Sequence, residues 1–117
     1  MNQMIPIKEL QRRFLKDPLS VRLGGVASDL SRLSGLASTS DTDVQTLHNV
    51  LTELKLFTEW AAQDADYETQ KLILSLQRTI SRFDLTQFPL SCPTLRKETG
   101  KWSKKILSFS GLTNPAA

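Results

Sequence analysis

Apolar residues recur along this chain at spacings of three and four, and strict alternation of apolar with polar positions is nearly absent. That rhythm belongs to helices, each turning one apolar stripe toward a shared core. Leu10 and Phe14 mark a short first helix over about 7–16, which Asp17-Pro18 ends because proline disfavours helix in the residue before it. Leu19, Leu23, Val26, Leu30, Leu33 and Ala37 give a second helix, over about 19–37, a complete stripe. Val44, Leu47, Leu51, Leu54 and Ala61 predict a third over about 43–62, and Ile73, Leu76, Ile80 and Phe83 a fourth over about 67–84. Two prolines interrupt the pattern in "LTQFPLSCP", after which Leu95, Trp102, Ile106 and Phe109 share one side of a fifth helix over about 94–110. Gly111 stands where a helix C-terminus favours a left-handed residue, and Pro115 prevents resumption. "STSDTD" at 38–43 and "QDADYE" at 63–68 supply loops and candidate N-caps. Short loops favour antiparallel neighbours, so the reading is an all-α, antiparallel bundle of four to five helices in a single domain over 1–117, built on helices two, three and four.

The second helix holds an oddity. "RLGGVASDLSRLSGLAS" carries three glycines and four serines, and the glycines alone cost about 3 kcal/mol of helix propensity relative to alanine. At 100° per residue the small residues cluster beside the leucine stripe. Within that cluster Gly24, Ser28, Ser31 and Gly35 repeat at 4, 3 and 4, a second seam along which another helix can lie close. Two alternatives compete: a solvated serine face with tolerated glycines, or a break at Gly24-Gly25 that starts the helix at Val26. A phosphate-cradling loop is disfavoured, because neither glycine-rich fingerprint spacing is present and no strand precedes the glycines.

Composition narrows the class. The 117 residues suit one domain, and a net charge of +3 is mildly basic, short of a dedicated nucleic-acid protein. Cys92 is the single cysteine, which excludes an internal disulfide and a dithiol pair and fits a reducing setting. No apolar run reaches the ~20 residues of a membrane span, and the N-terminus lacks a signal-peptide pattern. The expectation is a soluble, cytoplasmic protein.

Catalytic chemistry finds little support. His48 is the one histidine, placed toward the polar side of the third helix with no nucleophile or orienting carboxylate tied to it by sequence. Residues 41–66 carry a net charge of −5, six carboxylates against Lys55, but the Glu-x-x-His signature of carboxylate-bridged metal sites is missing. Asp41, Asp43, Asp64 and Asp66 read as helix starts, where carboxylates suit the dipole. No catalytic residue, metal site, cofactor or small-molecule substrate is expected.

Surfaces are more informative. In "LKLFTEW", Leu56 and Trp60 sit four apart and outside the middle of the third helix's core face. They are covered by the first or fifth helix, or they form a contact between two copies of the chain. Tyr67 and Leu74, one heptad apart on the fourth helix, suggest a second contact surface. The C-terminal "TLRKETGKWSKKILSFSGL" has a net charge of +4, five cations against Glu98. Arg96, Lys97, Lys101, Trp102, Lys104 and Lys105 would be its contacts with an anionic membrane or nucleic acid. The competing reading makes it the last helix of the domain with solvated lysines.

Leu23, Gly24, Ala27, Leu30 and Arg32, followed by Phe57, Glu59 and Trp60, match a Leu-Gly-x-x-Ala/Ser-x-x-Leu-x-Arg opening that precedes a helix with Phe and Trp near its end. In this the chain resembles a group of small helical proteins of unknown function common in cyanobacteria, over about residues 19–83. The resemblance implies an all-helical intracellular protein and lends no activity, cofactor or catalytic residue. The favoured function is therefore a non-enzymatic interaction module that binds itself, as a homodimer, or another protein through Leu56, Trp60, Tyr67, Leu74 and the small-residue seam. The alternative is a peripheral binder of anionic membrane or nucleic acid.

Overall fold

Five helices follow one another: α1 (Ile7–Lys16), α2 (Leu19–Leu36), α3 (Val44–Ala62), α4 (Tyr67–Ile80) and α5 (Pro93–Ser110). The computed structural model describes residues 6–37, 44–63, 65–82 and 93–111. The expected loop at 38–43 with Asp41 and Asp43, the cap at Asp64, Phe83 and Asp84, the connector with Cys92, and Pro115 lie outside the described residues. The fold class is all-α, an antiparallel helical bundle.

Helix starts and stops follow local chemistry. Pro6 and Pro18 occupy the N-cap positions of α1 and α2, and Asp17 between the first two helices is extended, as a residue before proline tends to be. Arg22 closes that corner by donating from Nε to the Asp17 carbonyl at 2.9 Å. Asp66 caps α4 and accepts a hydrogen bond from the Thr69 hydroxyl, which holds the Asp66 carboxyl below its ordinary range. Gly111 ends α5 with φ +82°, the left-handed conformation that costs glycine nothing. Helix α2 runs unbroken through Gly24 and Gly25.

Helix α2 occupies the middle, with α5 along one side and α3 along the other, while α1 and α4 pack on α3. This revises the expected core, since α5 rather than α4 is the second partner of α2. Leu23, Val26, Leu30 and Leu33 of α2 meet Leu95 and Ile106 of α5 and Leu47, Leu51 and Leu54 of α3 in one continuous buried cluster. The C-terminal helix is thus structural on its apolar side. Thr99 of α5 is fully buried and spends its hydroxyl on the Leu95 carbonyl at 2.7 Å, so the core takes in a polar atom already satisfied.

Candidate functional site

The α2–α5 contact is where the small residues act, with a shift from the expected seam. Ser34 donates to the Arg96 carbonyl at 3.0 Å, and Ser103 returns a hydrogen bond to the Ala27 carbonyl at 2.8 Å. These two staples join antiparallel helices at backbone range. A Cβ on Gly100 would lie 3.2 Å from Ser34 Oγ, so the missing side chain eases the approach of the two helices at the Ser34 staple. The touching residues of α2 are Ala27 and Ser34, next to the leucine stripe. The expected seam of Gly24, Ser28, Ser31 and Gly35 is rotated farther outward: Ser28, Ser31 and Gly35 are exposed, and a Cβ on Gly35 would meet nothing within 4 Å. A helix buries what lies toward its partners, and α3 and α5 together cover only the near side of that cluster.

Outward small residues leave a trough. Beside the staples lies a groove of about 910 Å³ whose α2 wall is Ser31, Ser34 and Gly35. Its α5 wall is Arg96, Lys97, Gly100, Lys101, Ser103 and Lys104. All four cations are exposed, and none makes a salt bridge among the described residues. Lys97, Lys101 and Lys104 recur at i, i+4 and i+7, a row about 10 Å long at 1.5 Å per residue. Uncompensated like charges in a concave site reinforce one another's potential and attract anions.

The structure divides the six residues expected to meet an anionic partner. Arg96, Lys97, Lys101 and Lys104 line the groove, whereas Trp102 and Lys105 do not. Trp102 is half-buried against the core, and the Lys105 ammonium lies over its ring at 4.9 Å from the centroid. Helical spacing puts Lys105 about 100° around from Lys104 and about 40° beyond Lys101, toward that ring's side and off the edge of the trough.

The other expected contacts are also sorted. Trp60 is corrected: only 4% exposed, it is covered by α1 and offers no surface anchor. Phe14 of α1 stacks on Phe57 with centroids 4.4 Å apart and approaches Trp60 at 5.9 Å, and Phe57 lies 6.1 Å from Trp60. Leu56 is half-buried against the core. Tyr67 and Leu74 do reach solvent, 70% and 48% exposed, with Lys71 between them over the Tyr67 ring. Gly24 faces a smaller apolar groove of about 550 Å³ with Leu10, Phe14, Val21 and Leu107. His48 is exposed on α3.

One feature escaped the sequence reading. Asp29 of α2 is 3% exposed, its Oδ2 has no hydrogen-bond donor, and Arg32 Nη1 stands 3.5 Å from Oδ1. Burial, a hydrogen bond with Glu53 of α3 and the Glu53 charge push the Asp29 carboxyl up to about 8, against the opposing pull of Arg32. Asp29 Oδ2 is thus a buried oxygen set beside a second carboxyl group, where the charged form is disfavoured. Asp29 and Glu53 stand 24 positions apart on different helices, so neither spacing nor composition announces the pair.

Among the described residues no cluster of three or more metal-ligating side chains occurs, and no helix is long and apolar enough to cross a membrane. Compared with protein-family models, curated proteins and solved structures, the chain matches none.

Proposed function

We propose that this chain is a binding module that takes an anionic macromolecular partner in the groove between α2 and α5. The observation that carries the reading is the convergence of Arg96, Lys97, Lys101 and Lys104 on a concave surface with hydroxyl-bearing walls. Burial of Trp60 removes the strongest apolar anchor for the competing protein contact. Retention on heparin, a sulfated polyanion, is the direct test. Lys97, Lys101 and Lys104 changed together to alanine should elute at markedly lower salt than the native chain. A control that removes the same charge from exposed Lys8, Lys16 and Lys55 should shift elution much less. Equal shifts in the two triple variants would show a net-charge effect and refute the reading.

A second reading, self-association or docking to another protein, is favoured by the outward face of α4, where Tyr67 and Leu74 remain exposed. Light scattering decides the self-association form: a concentration-dependent dimer lost in Tyr67→Ser/Leu74→Ser supports it, and a strict monomer at high concentration removes it.

A further inference from the structure

We infer that the occupant of this groove is single-stranded nucleic acid, held by its phosphodiester backbone without reading its bases; the inference rests on the binding role proposed above and specifies its partner. A lipid surface is flat and is met by cations with apolar side chains projecting beside them. Here Leu95 and Ile106 of α5 are buried in the core, and Phe109, 45% exposed, lies about 140° around the helix from Lys104. Duplex DNA is read by a convex element inserted into its groove. A concave, cation-lined trough instead tracks one strand, and the hydroxyl of Ser31, the lining serine that donates to no backbone carbonyl among the described residues, suits a phosphate oxygen. None of the groove-lining residues is aromatic, so the stacking platform that favours particular bases is missing from it.

The wall from Arg96 to Lys104 is about 12 Å long, and its four cations offer at most four phosphate contacts. Four neutralised phosphates give a salt slope near −0.7 × 4, about −2.8, so affinity falls about 50-fold between about 50 and about 200 mM salt.

Fluorescence anisotropy tests this with labelled oligonucleotides of about 20 nucleotides, oligo-dT, oligo-dA and oligo-rU, beside a duplex of equal length and vesicles containing phosphatidylserine. The expected result is binding to all three single strands within about threefold of one another, weaker binding to the duplex, and the stated salt slope. The Lys97/Lys101/Lys104 alanine variant should flatten the slope to about −0.7, one remaining contact. Ser31→Glu, an exposed position on the opposite wall, should weaken binding several-fold without touching α5, and Lys105→Ala should change it less than about twofold. Heparin retention that depends on the groove lysines, together with binding only to vesicles or a preference for the duplex, overturns the single-strand assignment and leaves the groove standing. Absence of both heparin and oligonucleotide binding overturns the two together.

Discussion

Replacing Asp29 by asparagine removes an ionisable carboxyl from a site where its charge is not tolerated, and the consequence is a change in how stability depends on pH. The folded chain holds this carboxyl protonated up to about pH 8, whereas an unfolded aspartate releases its proton near 4. Between those values the folded state binds one more proton than the unfolded state, so stability falls as pH rises, by at most about 1.4 kcal/mol per pH unit. The contribution is complete below about pH 4 and exhausted above about pH 8. From about pH 5 to about pH 8 the loss is on the order of 4 kcal/mol, or on the order of 10 °C in Tm for a chain of this size. Glu9 and Asp66, whose pKa values are lowered, act in the opposite sense, but their contribution disappears only as pH drops below about 4. The window is therefore clear of them. Asparagine matches the carboxyl in size, carries an amide that can donate to Glu53, and has no charge to expel. Thermal melts followed by circular dichroism at about pH 5, 6, 7 and 8 should show a falling Tm for the native chain and a flat profile for Asp29→Asn, with the variant more stable at the alkaline end. A native profile that is flat or rising over that window refutes the reasoning, as does a variant that keeps the native slope.

Trp60→Ala should lose about 3–5 kcal/mol by chemical denaturation, because it empties the aromatic cluster with Phe14 and Phe57. Gly100→Ala should gain nearly the full helix-propensity increment of about 1 kcal/mol in a Ser34→Ala background and distinctly less in the native one, since Ser34 Oγ is the atom a new Cβ would crowd. Gly35→Ala, with open space around it, should stabilise by about 0.5–1 kcal/mol without any second change. Gly111→Ala should cost about 1 kcal/mol, the penalty of a left-handed Cβ at the end of α5.

The helices and their order were legible because each carries a long run of three-and-four spacing, which reports burial directly. Gly111 was legible for a similar reason, a local backbone requirement with a local chemical signature. What periodicity cannot report is which helix covers which flank. Leu56 and Trp60 looked like surplus apolar surface until α1 set Phe14 against the tryptophan. Likewise, the small residues of α2 announced a close approach, yet Ala27 and Ser34, not the outer seam, make it. The basic character of α5 was visible in its residues. That four of those cations face a trough while Lys105 lies over Trp102 depends on the docking angle of two helices, a tertiary quantity. Asp29 was the least legible residue, since a carboxyl on a helix flank is ordinarily solvated and its burial, with Glu53 set beside it, is a product of helix packing.

Because the helix that bears the lysines also closes the hydrophobic interior, any binding in the trough would draw on the same cooperative unit as folding. A severed α5 would lose both its partner wall and the reason to stay coiled, so a peptide of that sequence is a poor mimic of the whole. By the same linkage, whatever fills the trough must raise the melting point of the entire chain in proportion to the logarithm of its concentration. Ligand discovery can therefore proceed by heat alone, with no reporter attached.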